Sequence, residues 1–238
     1  MQKGHLAISI IAVIVSFLGG FILANSLNKA ELSRLRNAPA PTPAEAPQKD
    51  ELSESEITET LKKAENNRDD FGFQKRLGLA LYSYAASKNE TKHLGDIEKL
   101  LVRANELNPN DYEVLVALAN LNFDIATLRK EASRNEKAIE LYRTALKANP
   151  TDPRVLSDLA SVLLASKPEA SQEAVQLLEK AKKADPQNEL VLQNLAKAYV
   201  AVKDMPSAAK TMEELKKVNP QNPVVLEIDQ GLKGGNAQ

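Results

Sequence analysis

The apolar positions of this chain follow two different patterns. From Leu6 to Ala24 nineteen residues run without a charge, whereas from about residue 53 onward apolar residues recur at intervals of three and four between charged ones. An uncharged run of that length forms a helix of ~28 Å, which is close to the thickness of the bilayer hydrocarbon. Intervals of three and four place apolar residues on one face of a helix. The pattern therefore predicts an all-α protein in which one transmembrane helix precedes several amphipathic helices.

The N-terminal run also has features of a cleaved signal peptide. Ala24 and Ser26 are small residues at a suitable spacing for cleavage after Ser26. The run is nevertheless longer than the core of a usual signal peptide, and only Lys3 and the amino terminus are charged in front of it. We therefore favour an uncleaved anchor over residues 1–36, with a helical core at 6–24. A measured mass that lacks the first ~26 residues would show cleavage instead.

Small residues recur at every fourth position of the predicted membrane helix. They are Ala12, Ser16, Gly20 and Ala24. This spacing places them on one helix face, where small side chains let two helix backbones approach closely. The stripe therefore suggests a homodimer through the membrane helix. Because small residues are common in membrane helices in general, it is equally consistent with a helix that has no partner.

Four prolines follow the anchor. Pro39, Pro41, Pro43 and Pro47 lie within residues 37–50. They prevent a regular helix there and favour extended polyproline geometry. Fourteen residues of this kind span ~40 Å as a semi-rigid spacer. We predict a tether that holds the helices after it away from the membrane surface.

Four later prolines mark a repeat. They are Pro109, Pro150, Pro186 and Pro220, at spacings of 41, 36 and 34 residues. The positions twelve, eight and five residues before each proline are Ile97, Leu101 and Ala104; Ala138, Tyr142 and Ala145; Ala174, Leu178 and Ala181; and Ala208, Met212 and Leu215. The positions six, nine and ten residues after the first three prolines are Leu115, Leu118 and Ala119; Leu156, Leu159 and Ala160; and Leu192, Leu195 and Ala196. These bulky and small positions resemble the tetratricopeptide repeat, which has a period of 34 residues.

The resemblance covers residues 71–233 and implies a solenoid of antiparallel helix pairs within residues 51–238. The pairs are expected at 71–109, 112–150, 153–186 and 189–220, with lone capping helices at 53–67 and 223–233. The residue chemistry agrees, because proline ends the second helix of a pair and the next helix needs an N-cap soon afterwards. The residues at that position are Asp111, Asp152 and Asn188.

Each of the first two repeats has about seven residues more than the 34-residue period. Seven residues are about two helical turns. We therefore predict one additional turn on each helix of these two pairs, with the helices joined near residues 88–95 and 130–135. A longer connecting loop is the alternative.

The composition excludes several kinds of chemistry. There is no cysteine, and the two histidines, His5 and His93, fall at the membrane edge and in a loop, where they cannot form a metal-binding pair. The chain has 9 glycines and no glycine-rich phosphate loop. Its carboxylates alternate with Lys and Arg, as on a solvated helix face. We predict no catalytic residue, no metal and no cofactor, and the net charge of −1 favours no binding of nucleic acid.

Tetratricopeptide proteins resembling this chain bind peptides or protein segments along the first helices of their pairs. In that register the partner-contacting positions are Lys75, Leu79 and Tyr82; Glu113, Val116, Asn120 and Phe123; Arg154, Ser157, Ser161 and Leu164; and Leu190, Gln193, Lys197 and Val200. We select Lys75, Tyr82, Asn120, Phe123, Arg154, Gln193 and Lys197 as candidate binding residues. Tyr82 and Phe123 are the most anchor-like, because aromatic side chains bury a large area at low entropic cost. Core packing is the alternative role for both.

One binding mode of the family is not expected here. Members that hold a terminal carboxylate need two lysines, an arginine and two asparagines at set positions. Lys75 and Arg154 match, but this chain has Leu79, Ala117 and Asp158 where asparagine, asparagine and arginine are needed. We therefore predict that the surface does not bind a terminal carboxylate.

The patterns together predict a non-enzymatic scaffold, anchored by one helix in a bacterial cell membrane, that binds a protein or peptide partner. An N-terminal anchor followed by tetratricopeptide repeats resembles subunits of cytochrome c maturation and accessory subunits of the protein translocon. That resemblance favours an extracytoplasmic domain. By the positive-inside rule, Lys29, Arg34 and Arg36 favour a cytoplasmic one. A self-associating membrane organiser without a peptide ligand is the alternative function.

Overall fold

The computed structural model describes residues 53–222 and Val225. Nine α-helices and one short 3-10 helix account for the regular structure of this part of the chain. It divides into two compact units between residues 90 and 91. Three predicted segments lie outside the described residues, namely the membrane helix with its small-residue stripe, the tether, and the helix at 223–233. Within the last of these segments the structure describes Val225, which is helical. Among the helices of the described part, none is both long and apolar enough to cross a bilayer.

The first unit contains two helices between residues 53 and 90. α1 spans Glu54–Asn66 and α2 spans Phe71–Lys88. Ser53 begins α1 with a capping box, in which its hydroxyl accepts from the Glu56 N–H and the Glu56 carboxylate accepts from the Ser53 N–H. The helix predicted at 53–67 is therefore present as α1, and Ile57 is buried on its apolar face as expected.

A buried glutamine joins the two helices of this unit. Gln74 on α2 donates from its side-chain amide to the carbonyls of Ala64 at 2.9 Å and Asn67 at 2.8 Å. The last carbonyls of a helix have no partner within it. Gln74 therefore completes the hydrogen bonding at the end of α1 while its own amide stays paired in the interior.

The second unit contains seven α-helices among the described residues 91–222. They are α3 (Leu94–Leu107), α4 (Tyr112–Arg129), α5 (Ala132–Ala148), α6 (Pro153–Ser166), α7 (Ser171–Ala184), α8 (Glu189–Ala201) and α9 (Met205–Val218), with a 3-10 turn at Pro168–Ala170. Each helix packs against the next, and α6 also contacts both α4 and α8. We call α4, α6 and α8 the first helices and α3, α5, α7 and α9 the second helices. This is the all-α helical repeat that the sequence predicts.

Proline and N-cap residues set the ends of these helices. The second helices each end two residues before a proline, namely Pro109, Pro150, Pro186 and Pro220. The first helices begin after Asp111, Asp152 and Asn188, whose side chains accept backbone N–H groups of the first turn. Such an acceptor compensates for N–H groups that have no partner within the helix. The three predicted N-caps are confirmed.

Small buried residues allow the helices to approach each other. Ala119, Ala160 and Ala196 are fully buried at equivalent positions of the three first helices. Because alanine ends at Cβ, a neighbouring helix can pack close to the backbone at these points. Larger side chains fill the remaining space, and Tyr142 on α5 is the largest that is fully buried. Its burial agrees with its predicted role as the bulky position of the second repeat.

The extra residues of the first two repeats are distributed in two ways. In the second repeat α4 has 18 residues and α5 has 17, against 13 and 14 for α8 and α9, so both helices are lengthened as predicted. In the first repeat α2 has 18 residues but α3 has only 14. Asn89, with a φ of 52°, ends α2 in a left-handed conformation, and residues 89–93 connect the helices. The prediction of a longer second helix is therefore wrong for α3, since this polar connection has no apolar side chain with which to bury an additional turn.

Candidate partner-binding surface

The first helices of the second unit bury one side and leave a stripe of accessible side chains on the other. On α6, for example, Val155, Leu159 and Val162 are buried, whereas Arg154 is exposed and Asp158 is half-buried. The first-helix surface consists of Asn120, Phe123 and Asp124 on α4; Arg154, Asp158, Ser161 and Leu164 on α6; and Gln193, Lys197 and Val200 on α8. It combines amides, charges and apolar side chains, which is the mixture that a peptide or protein segment requires.

Most of the predicted binding residues lie on this surface. Asn120, Phe123, Arg154, Gln193 and Lys197 belong to it. Phe123 and Leu164 also pack against the main core of the unit, so each has one side in the core and one side accessible. The core role of Phe123 is therefore confirmed, and its role in partner binding stays a prediction.

Other predicted positions lie elsewhere. Val116 is buried in the core, and Ser157 is buried between helices. Lys75 and Tyr82 lie on α2 in the first unit, where Tyr82 is half-buried. The Lys75 Nζ lies 5.8 Å from the ring centroid of Phe71 in a cation–π contact.

A polar network joins α6 to α8 beneath the first-helix surface. The side-chain amide of Asn194 donates to Ser157 Oγ at 3.0 Å and to Ser161 Oγ at 2.9 Å. The Ser161 hydroxyl in turn donates to the Ser157 carbonyl at 2.9 Å. Ser157 and Asn194 are buried. Buried polar groups cost free energy unless they are hydrogen-bonded, so this network favours one arrangement of the two helices. Asn194 was not among the predicted site residues, although an asparagine between apolar neighbours is a signal for such a bond.

A second link joins α4 to α6. The Tyr112 hydroxyl donates to Asp152 Oδ2 at 2.6 Å, and Asp152 Oδ1 accepts the N–H groups of Arg154 and Val155. Burial and the hydrogen bond to Asp152 raise the pKa of Tyr112 above its usual value. The hydroxyl therefore remains a donor at every physiological pH, and the N-cap of α6 is connected to α4.

Among residues 53–222, two amides of the surface are held only through their carbonyl oxygens. The Tyr142 hydroxyl donates to Asn120 Oδ1, and Asn222 Nδ2 lies 3.2 Å from Gln193 Oε1. Both contacts use the carbonyl oxygen of the amide. The NH2 groups of Asn120 and Gln193 are therefore the donors that these residues can offer to the backbone carbonyls of a bound segment.

Asp158 is the strongly perturbed acid of the surface. Burial raises the pKa of Asp158 to about 6; the positive charge of Arg154 opposes this shift, and the negative charges of Asp152 and Asp124 add to it. Within residues 53–222 the Asp158 carboxylate accepts no hydrogen bond and forms no ion pair. In the sequence, Asp158 is recognisable only as a departure from the carboxylate-binding pattern, because burial cannot be deduced from a single position.

Ion pairs connect successive second helices. Arg134 on α5 pairs with both carboxylate oxygens of Glu98 on α3, and this hydrogen bonding raises the pKa of Arg134. Arg143 on α5 pairs with Glu173 on α7 at 2.7 Å. The third pair joins Lys182 on α7 to Glu214 on α9. Exposed pairs contribute little, and the Arg134 pair, about one-fifth exposed on both sides, is the most sheltered of the three.

These features define a helical-repeat protein whose first helices present a preformed surface of polar and apolar side chains. Two tetratricopeptide repeat models match the chain, one over residues 169–228 and one over residues 123–189. The matches support the tetratricopeptide repeat family that the proline spacing indicates. A comparison with curated proteins finds no match.

Solved structures have the same fold. YrrB, described as a TPR protein with an unusual peptide-binding site, is 12% identical with a TM-score of 0.59, over 74% of this chain and 83% of that one. MamA from Desulfovibrio magneticus RS-1 is 15% identical with a TM-score of 0.58, over 71% of this chain and 87% of that one. The pilF protein of Pseudomonas aeruginosa is 23% identical with a TM-score of 0.54, over 76% of this chain and 71% of that one. At these identities the likeness shows the tetratricopeptide-like fold alone.

Proposed function

We propose that this protein is a membrane-anchored scaffold that binds a segment of a partner protein along the first-helix surface of α4, α6 and α8. The observation that carries the proposal is the accessible stripe on these helices, which is held in place by the Tyr112–Asp152 and Asn194–Ser157 links. A surface that is already ordered loses less entropy when it binds. The peptide-binding site described for YrrB supports this use of the fold.

The anchor and the location are proposed from the sequence. The uncharged run from Leu6 to Ala24 supports a single-pass helix in a bacterial cell membrane. We propose an extracytoplasmic domain that assists the assembly of membrane or exported proteins, as the cytochrome c maturation subunits that the chain resembles do. A reporter enzyme that is active on only one side of the membrane, fused after Gln238, tests the orientation. Activity on the cytoplasmic side would exclude every extracytoplasmic client.

The binding surface can be tested by crosslinking in the intact membrane. A photoreactive amino acid replaces Arg154, which is exposed on α6, in the full chain. The matched control places the same amino acid at Glu140, which is exposed on α5. We expect a crosslink to one partner from position 154 and not from position 140. Equal crosslinking from both positions, or from neither, would contradict the proposed surface.

A self-associating membrane organiser is the second candidate. The feature that favours it is the stripe of small residues at Ala12, Ser16, Gly20 and Ala24. A Gly20→Leu substitution would weaken self-association in membranes if this stripe joins two copies. Crosslinks from position 154 to a second copy alone would favour the organiser over the peptide-binding scaffold.

A further inference from the structure

The end of α4 exposes an apolar side chain beside two basic ones. Leu128 has 55% of its surface exposed, the largest fraction of any large hydrophobic residue in the described part of the chain. Thr127, Arg129 and Lys130 beside it are exposed as well, and we call residues 127–130 the α4 tip. A single exposed leucine needs no explanation. One that is followed by two cations has the composition of segments that enter the headgroup region of a bilayer.

The positive charge of the α4 tip is not neutralised by its neighbours. Residues 127–137 contain four basic and two acidic residues. Both acids are occupied by other basic side chains, at 3.3 Å for Glu131 with Arg134 and at 2.9 Å for Glu136 with Lys167. Within residues 53–222 the side chains of Arg129 and Lys130 form neither an ion pair nor a hydrogen bond. An anionic surface would therefore meet two cations that no carboxylate of this part of the chain holds.

The backbone at the α4 tip is unusual for the residue that it carries. Lys130 ends α4 in the left-handed region, with a φ of 56°, where glycine or asparagine is the usual residue. Lys203 takes the same conformation after α8, with a φ of 61°. The helix dipole gives a partial reason, because a cation is stabilised near a helix C-terminus. A lysine in this region is nevertheless an outlier of the kind from which a function can be inferred.

The ends of the first helices lie at one edge of the second unit. The Tyr112–Asp152 bond joins the starts of α4 and α6, and the Asn194–Ser157 bond joins the first halves of α8 and α6. Each second helix returns the chain to the same starting edge, so the three first helices run in one direction. Because α4 has 18 residues and α6 has 14, α4 extends about 6 Å further at about 1.5 Å per residue. The α4 tip therefore projects beyond the end of α6, on the edge that also carries Lys203.

We propose that the α4 tip docks on the anionic surface of the membrane that holds the anchor. Leu128 enters the interface, and Arg129 and Lys130 pair with lipid phosphates. The inference rests on the anchor of the proposed function and adds a second contact with the same bilayer. With this edge against the membrane, the helices of the second unit stand upright on it, and the first-helix surface stays open to a partner.

The tether makes so small a contact sufficient. One leucine and a few cations bind a membrane only weakly from solution. A spacer of about fourteen residues spans at most ~40 Å, so it keeps the helices close to the bilayer. The effective concentration of the membrane surface is then high, and a weak contact is occupied for much of the time.

The test uses a fluorescent label beside the tip in the full chain. The chain has no cysteine, so Thr127→Cys carries a single nitrobenzoxadiazole dye while Leu128 stays in place. The labelled chain is reconstituted into phosphatidylcholine vesicles that contain about one-third phosphatidylglycerol. We expect the emission to shift to shorter wavelengths and to be quenched by nitroxide-labelled lipid. Pure phosphatidylcholine should give a much smaller response, and high salt should remove the response to anionic lipid.

Two matched controls separate the tip from the rest of the surface. Thr151→Cys places the same dye at an exposed threonine just before α6, at the opposite edge, and should show no response. Replacing Arg129 and Lys130 together with glutamine should lower the ratio of contacting to free tip roughly tenfold. The double variant Lys147→Gln and Lys183→Gln removes two exposed cations near the ends of α5 and α7. It should leave the response at position 127 unchanged.

Flotation of the vesicles distinguishes failure of this inference from failure of the proposed anchor. A chain that does not float with the vesicles lacks the anchor, and both proposals fail. If it floats but position 127 responds no more than position 151, the inference is wrong and the anchor stands. The same holds if neutral lipid gives an equal response or if the glutamine variant keeps it. A shift that already appears in detergent and rises with protein concentration assigns the tip to a second copy and excludes the membrane contact.

Discussion

Tyr112 on α4 and Asp152 at the start of α6 share a hydrogen bond of 2.6 Å between the hydroxyl oxygen and Oδ2. The other carboxylate oxygen of Asp152 accepts backbone N–H groups of the first turn of α6. One carboxylate therefore caps α6 and connects it to the preceding first helix. A hydrogen bond to a charged acceptor contributes more than a neutral one.

Tyr112→Phe removes this hydroxyl and keeps the ring. We expect the free energy of unfolding to fall by about 1–2 kcal/mol, because the bond to a charged acceptor is lost while Asp152 keeps its backbone donors. Urea unfolding followed by circular dichroism measures the change. The control is Tyr84→Phe, since Tyr84 is half-buried and its hydroxyl makes no hydrogen bond within the described residues. An equal loss in both variants would show that the bond contributes nothing.

Asp158→Asn should stabilise the fold at neutral pH. The pKa of Asp158 is about 6 in the folded chain, above its ordinary value of 3.8, so the folded state holds the proton more tightly than the unfolded state. The stability associated with this group is therefore present below about pH 4 and is lost as the pH rises through about 6. We expect the variant to gain about 2 kcal/mol at pH 7.

The pH dependence distinguishes this effect from a general change in packing. Between pH 4 and 7 the variant should lose less stability than the normal protein, because it lacks the Asp158 carboxylate that gives up its proton in this range. The other acids are the same in both proteins and contribute equally. Thermal unfolding at several pH values measures the difference. Two curves that stay parallel over this range would mean that Asp158 titrates as an ordinary surface acid.

Asn194→Ala should destabilise the contact between α6 and α8. The change removes both hydrogen bonds to Ser157 and Ser161, and it leaves the buried Ser157 hydroxyl without its donor. We expect a loss of about 2–3 kcal/mol in the free energy of unfolding, measured in urea. Gln176→Ala on α7 is the control, because Gln176 is exposed and its loss should change stability by less than about 0.5 kcal/mol. A value for Asn194→Ala within that smaller range would contradict the role of the network.

Glu98→Gln tests the most sheltered ion pair of the second helices. The substitution removes the charge that pairs with Arg134, and we expect a loss of about 1–2 kcal/mol in the free energy of unfolding. Glu213→Gln is the control, because Glu213 pairs with Lys216 at 3.1 Å on an exposed part of α9. The control should change stability by less than about 0.5 kcal/mol. If the free energy of unfolding falls by a similar small amount in both variants, the Arg134 pair contributes no more than an exposed pair.

Much of the fold could be predicted from the sequence because its signals are local. A proline cannot continue the interior of a helix, so Pro109 and its counterparts end the helices before them, and an aspartate such as Asp111 caps the helix that follows it. The spacing of Leu156, Leu159 and Ala160 gives the buried face of α6 in the same way. The length of α3 was predicted wrongly, because a helix and a polar loop can accommodate the same number of residues.

The properties of the surface were less predictable because they depend on contacts between helices. Asn120 was identified by its position, but its bond to Tyr142 on α5 required the packing of the pair. The sheltering of Asp158 depends on how α4 and α6 lie together, and no sequence interval contains that information. Asn194 stands between apolar neighbours, which signals a buried amide, but its partners Ser157 and Ser161 on α6 are determined only by the packing.

The bond between Asn194 and Ser157 also affects the spacing of side chains along the first-helix surface. Apolar contacts have no directional bonding geometry, whereas a displacement of α8 by one turn, about 5.4 Å, would separate the side chains of Asn194 and Ser157. The bond therefore fixes how far α8 lies along α6, and with it the interval between Asp158 on one helix and Lys197 on the next. Any segment that binds both residues must place its own opposite charges at a matching interval.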